Sequence, residues 1–151
     1  MMETPHNELK AFLVRAKCAT YASGREEDGT SRPHARDFRY QEETLAYIDS
    51  FVGGKAFAGE EIVYEKGIPV WGMNYQGRQM GVGFDGGFLR KALLQVPEQT
   101  PFRGPIEYQE GSFLYCNAYA GDIDWFFGRE EIYASGVSVY ECMYHGGFLS
   151  E

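Results

Sequence analysis

The chain has 151 residues, 44% of them hydrophobic and 24% charged, which is enough to bury one core and too apolar to stay disordered. Its net charge of −8 excludes a surface built for direct contact with nucleic acid or an anionic membrane, since either needs a clustered excess of Lys and Arg. No apolar run approaches the roughly eighteen residues that a membrane-crossing helix requires, the opening residues lead us to expect no secretory leader, and Cys18, Cys116 and Cys142 show no paired spacing. The expectation is one cytoplasmic domain over residues 1–151 with reduced thiols.

Thr4-Pro5 predicts a helix start, and Leu9, Phe12, Leu13 and Ala16 then fall on one helical stripe. Residues 18–39 concentrate Gly, Ser, Asp, Pro and charge, and predict a long irregular, mobile segment. From Tyr40 to Val52 the period changes to two, with Leu45, Tyr47, Asp49 and Phe51 alternating against Ala46, Ile48, Ser50 and Val52, which predicts a strand turned by Gly53-Gly54. Phe57 to Tyr64 and Ile68 to Tyr75 predict two more strands about a tight Glu65-Lys66-Gly67 turn. Asp85 is placed to cap a second helix carrying Phe88, Leu89, Ala92, Leu93 and Val96, which Pro97 stops. A loop over 98–110 and strands over 112–120, 123–133 and 137–145 follow.

The chain is written twice. Phe57 to Gly77 recurs as Phe126 to Gly146, with Phe57/Phe126, Gly59/Gly128, Glu61/Glu130, Tyr64/Tyr133, Gly67/Gly136, Val70/Val139, Tyr75/Tyr144 and Gly77/Gly146 identical. Ahead of that block, Tyr40-Gln41-Glu42 recurs as Tyr108-Gln109-Glu110, and Tyr47, Asp49 and Phe51 correspond to Tyr115, Asn117 and Tyr119. The expected fold is therefore α+β: an internal duplication of an α-β-β-β unit, with pseudo-repeats over about 5–77 and 84–147. Its two units would form a six-stranded, mainly antiparallel sheet with two helices on one face.

Rings and acids share the strand faces. Trp71, Met73 and Tyr75 lie on one face of their strand and correspond to Tyr140, Cys142 and Tyr144, while Glu61 and Glu130 are the duplicated acids with Asp49 beside them. Rings around a carboxylate make a cage for a cation through quadrupole and charge attraction. The candidate ligand-binding residues are Asp49, Glu61, Trp71, Tyr75, Glu130 and Tyr144, with Arg103 and His145 as polar contacts. The blander alternative makes the rings core and the acids strand surface.

Gly81 to Gly86 matches the spacing of a dinucleotide fingerprint, but the strand before it ends an antiparallel meander rather than a βαβ unit, so a helix-capping turn is expected there. Cys142 and His145 are an odd separation apart on one strand and therefore face opposite ways, which argues against a dyad. His6, His34 and His145 show no metal-ligand spacing; neither metal nor cofactor is expected.

The stretches YIDSFVGGKAFAGEEIVYEKGIPVWGMNYQG, PFRGPIEYQEGSFLYCNAYAGDIDWFFGREEIY and VYECMYHGGFL resemble a bacterial family of domains of unknown function, over about Leu9 to Leu149. Members resemble stand-alone proteins or modules C-terminal to Cro/repressor-type helix-turn-helix domains, and the resemblance implies a sensory or regulatory role with no catalytic residues to carry over. The duplicated α+β pattern is also loosely similar to the effector-binding domains of multidrug-responsive regulators, which hold cationic drugs against a glutamate among aromatics. The leading expectation is a non-enzymatic binding module for an apolar, cationic small molecule. The alternatives are a homodimeric interaction module and an enzyme using carboxylate acid/base chemistry, which would need a perturbed carboxylate near His145 or Arg103.

Overall fold

Strand pairing continues further along this chain than the six expected strands. The computed structural model describes residues 2–151 and contains one eight-stranded sheet, with strands β1 (Arg36–Glu42), β2 (Leu45–Gly53), β3 (Ala56–Glu65), β4 (Ile68–Gln79), β5 (Glu107–Glu110), β6 (Phe113–Asp122), β7 (Trp125–Ala134) and β8 (Val137–Phe148). Every pairing is antiparallel, and the order across the sheet is β1-β2-β3-β4-β8-β7-β6-β5. The α+β class stands, but the six-stranded sheet and the α-β-β-β unit do not: each half carries a fourth strand.

The two additional strands are β1, which falls mostly within the segment expected to be irregular, and β5, which falls in the expected 98–110 loop. Both are short partners to a longer neighbour, Arg36↔Phe51 through Glu42↔Leu45 in one half and Glu107↔Cys116 through Glu110↔Phe113 in the other. The β5–β6 hairpin turns at Gly111 with φ of 61°, a left-handed conformation that suits glycine. The β1–β2 hairpin puts Glu43 in that region, φ 42°, so the residue that usually announces such a turn is missing.

Helix α1 (His6–Ala19) buries Leu9, Phe12, Leu13, Ala16 and Lys17, and a 3-10 turn at Tyr21–Ser23 follows it. Thr4 does not cap α1. Its backbone and hydroxyl bond the Glu65 carboxylate instead, which pins the start of the helix to the end of β3. Helix α2 (Gly86–Leu93) is capped as the sequence predicts, the Asp85 carboxylate accepting from Gly87 N at 2.8 Å and Phe88 N at 3.3 Å.

Both helices lie on one face: Lys17 of α1 reaches Glu61 of β3, and Phe88 of α2 stacks on Phe113 of β6 with ring centroids 5.1 Å apart. That face carries the aromatic core, including Trp71, Phe102, Tyr115, Phe126 and Tyr140, with the Phe102 and Phe126 rings stacked at 3.9 Å. The opposite face is open. Rows such as Ala58, Gln76, Met143, Arg129 and Ala118 cross it in register, above a shallow concavity of about 850 Å³.

Where β4 meets β8, Tyr75 stands directly opposite Tyr144, the residue at its own place in the other half. The registers on either side correspond: Asp49↔Glu61 in β2–β3 and Asn117↔Glu130 in β6–β7, with a bulge after Val63 and another after Ile132.

Candidate functional site

The duplicated glutamates are both inside the protein. Glu130 is fully buried and takes four donors: Arg103 Nε at 3.0 Å, Arg103 Nη2 at 2.5 Å, Tyr115 Oη at 2.5 Å and Tyr140 Oη at 2.8 Å. Burial opposes the Arg103 charge, but the Glu130 carboxylate outweighs it and holds the guanidinium well above its ordinary range. Burial and the same carboxylate push the hydroxyls of Tyr115 and Tyr140 far up, so they remain donors.

Glu61 takes two donors, Lys17 Nζ at 2.7 Å and Tyr47 Oη at 2.5 Å, and Lys17 also donates to Phe102 O at 2.8 Å. Opposite Glu61 across the β2–β3 ladder stands Asp49, a second acid where the other half has Asn117. Like charges directly opposed on neighbouring strands repel. Asp49 has no cation of its own within ion-pair distance; it accepts the Tyr75 hydroxyl at 2.5 Å on Oδ1. Burial first, and the Glu61 charge second, raise the Asp49 carboxyl from 3.8 to about 7, against the pull of Tyr75, Arg103 and Lys17. At neutral pH this group can give or take a proton.

Tyr75 and Tyr144 reach their partners by lying flat over glycines. A Cβ on Gly59 would come within 2.3 Å of the Tyr75 ring, and one on Gly128 within 2.3 Å of the Tyr144 ring. The repeated glycine two places before each glutamate thus makes the space in which Tyr75 spans to Asp49 and Tyr144 spans to Asn117 Oδ1 at 2.6 Å. In the second half the arrangement is closed, because Asn117 Nδ2 donates to Gly104 O at 3.0 Å and Gly104 N donates to Tyr115 Oη at 2.9 Å.

Beside Asp49 the protein is hollow. A cavity of about 290 Å³ is lined by Asp49, Tyr75 and Arg103, by the rings of Tyr21, Phe51, Phe57 and Phe84, and by Arg36 and Arg90. Arg103 lies across this wall with its guanidinium 5.2 Å from the Tyr75 ring centroid, so one arginine pairs with Glu130 and closes the cavity of the other half.

The structure brings Asp49, Tyr75 and Arg103 together at this cavity and places the other expected residues elsewhere. Glu61 lies beneath it, paired to Lys17; Glu130 and Tyr144 belong to the closed cluster. Trp71 is core, its indole donating to Ile123 O at 3.1 Å. His145 is exposed on the open face, opposite Asn74 and Phe127, while Cys142 is buried among the core residues with its thiol pushed up to about 12 by burial. Sequence reasoning missed Lys17, although Leu9, Leu13 and Lys17 share the helical stripe. It missed Arg36 because β1 was not expected, and Arg90, which adjoins the Leu89 stripe of α2.

Fold and site together define an α+β protein built on one antiparallel sheet, with paired buried carboxylate clusters and one open cavity beside them. A family model described as a domain of unknown function (DUF5680) matches residues 49–149, and the chain belongs to that family. No curated protein and no solved structure matches the chain.

Proposed function

We propose that this protein is a non-enzymatic small-molecule-binding module whose ligand occupies the cavity beside Asp49. The observation that carries the reading is the cavity itself: about 290 Å³, with the rings of Tyr21, Phe51, Phe57, Tyr75 and Phe84 on its wall and the charged groups of Arg36, Asp49, Arg90 and Arg103 converging on it. Glu61 and Glu130 are already neutralised by Lys17 and Arg103, so they are not free counter-charges for a cation. They hold the frame, and Asp49, Arg36 and Arg90 face the ligand. The resemblance to modules attached to repressor-type helix-turn-helix domains supports a regulatory role in a bacterial cell.

The test is a thermal-shift screen of benzoate, benzyl alcohol and benzylamine against the wild-type protein and Gln79→Trp, which puts a large ring at the cavity wall. A ligand at about a hundred times its Kd adds roughly 2.7 kcal/mol of stability. The reading expects a Tm rise that Gln79→Trp abolishes; no rise with any probe, or the same rise in both proteins, contradicts it.

A second reading rests on the open face, where Trp125 is 77% and Phe127 and Met143 each 61% exposed. That surface suits a homodimer, and light scattering at micromolar concentration decides it. An acid/base enzyme is favoured by one observation, the Asp49 carboxyl raised to about 7 close to Arg103. Asp49→Asn separates it from binding, since it would end turnover yet keep the contacts of Arg36, Arg90 and the cavity rings, so that ligand stabilisation is reduced at most in part.

A further inference from the structure

Resting on the binding role above, we propose that the cavity between β1, β2, β4 and α2 is an anion-accepting site for a small aromatic carboxylate. The carboxylate of the ligand is held by Arg36 and Arg90, and its ring lies against Phe51, Phe57 and Phe84.

Most of the guanidiniums already have partners. The chain has nine arginines. Arg15, Arg25, Arg39, Arg78, Arg103 and Arg129 are in ion pairs, and Arg32 donates to Ser50. Among the described arginines, Arg36 and Arg90 alone have neither a carboxylate nor a side-chain hydrogen bond, and both line this cavity. In a protein of net charge −8, two unpaired guanidiniums meeting at one hollow are a local reversal of sign.

The donors are held ready. Arg90 lies over the Tyr21 ring at 5.0 Å and Arg36 over the Phe51 ring at 5.5 Å, while the Tyr21 and Phe51 rings meet edge to face at 5.9 Å. Stacking fixes the plane of each guanidinium without using its N–H groups. Arg90 Nε is buried with no partner at all. A buried charged donor without an acceptor is costly, and an anion in the cavity would supply the acceptor. The planar fork of arginine matches a carboxylate in two parallel hydrogen bonds.

The remaining walls choose the rest of the ligand. Rings on several sides of a cavity this small fit a single flat ring, and the free Oδ2 of Asp49, whose Oδ1 holds Tyr75, can meet a ligand hydroxyl. Asp49 faces Arg36 of β1, Tyr47 of its own strand, Glu61 of β3, Tyr75 of β4, Lys17 of α1 and Arg103 of the loop before β5. Below about pH 7 it is protonated and does not repel a carboxylate. Above that pH it ionises, and affinity for the anion falls.

The experiment is isothermal titration of benzoate, 4-hydroxybenzoate, benzyl alcohol and benzylamine into wild-type, Arg36→Gln and Arg90→Gln proteins at pH 6 and pH 8.5, with circular dichroism confirming that each variant is folded. The two carboxylates are expected to bind the wild type more tightly than either uncharged or cationic probe. Each arginine substitution should weaken them roughly tenfold, the loss of one charge-assisted contact, and binding should be weaker at pH 8.5. If benzylamine or benzyl alcohol binds as well as benzoate, or if both variants bind benzoate like the wild type, the anion assignment is overturned and the cavity remains a site of another class. If no probe binds the wild type, the binding role falls with it.

Discussion

Glu61 and Glu130 hold matching places in the two halves, each inside the protein, each taking a tyrosine hydroxyl from the strand beside it and a cation from outside the sheet. Around Glu130 every neighbour is satisfied: four donors reach the carboxylate, and Asn117 bridges Tyr144 to the backbone of Gly104. Around Glu61 two donors must serve a carboxylate that faces a second acid, and that acid lines a cavity. One frame thus carries a closed site and an open one. The difference turns on Asp49 against Asn117, and on Arg103, which fills one half and walls the other. A site kept incomplete within a frame that elsewhere is complete is where binding is to be sought.

The largest test of that contrast removes each glutamate. Glu130→Ala leaves the buried Arg103 charge uncompensated and should cost about 3–5 kcal/mol in urea denaturation. Glu61→Ala should cost less, about 2 kcal/mol, because Asp49 then loses its repelling neighbour and can ionise against Lys17. Equal losses would erase the distinction between the halves.

Asp49→Asn converts the open half toward the closed one. The folded state holds the Asp49 proton up to about pH 7, whereas the unfolded carboxyl releases it near 3.8, so the wild type loses stability as pH rises between those values. Asparagine removes that loss. The variant should be more stable at pH 8 by on the order of 4 kcal/mol, with the gain shrinking by pH 5 and gone near pH 4. A wild type that gains stability over the same range would have the sign reversed.

Gly59→Ala and Gly128→Ala each force a tyrosine ring off its partner and should cost about 1–3 kcal/mol in thermal unfolding. Only Gly59→Ala should also change the pH dependence of stability, because only Tyr75 bonds an acid. The smallest effect lies at the outer hairpins: Gly111→Ala should cost about 1 kcal/mol, and Glu43→Gly should gain about half that.

Strong period-two runs such as Tyr47 to Phe51, and the repeated Phe-x-Gly-x-Glu, made the inner strands and the paired glutamates legible. The outer strands were not, because Arg36, Arg39 and Gln41 break up the apolar signal of Phe38 and Tyr40, and Glu43 occupies a left-handed position without a glycine to mark it. The acids look free to meet a cation in the sequence because it does not show which distant cation folds onto them; Lys17 is 44 positions from Glu61 and Arg103 is 27 from Glu130. The cavity arises where the β1–β2 hairpin, Tyr21 and α2 converge, and one of those strands was missing from the expectation.

The most direct measurement is a carbon-detected NMR titration of the Asp49 side-chain carboxyl, in the protein alone and with 4-hydroxybenzoate. The midpoint is expected near 7 for the free protein and further up when the anion is bound, since a second negative charge beside Asp49 favours its protonated form. A midpoint close to the ordinary 3.8, unmoved by the ligand, would mean that Asp49 is an ionised structural carboxylate and would contradict the open-site account.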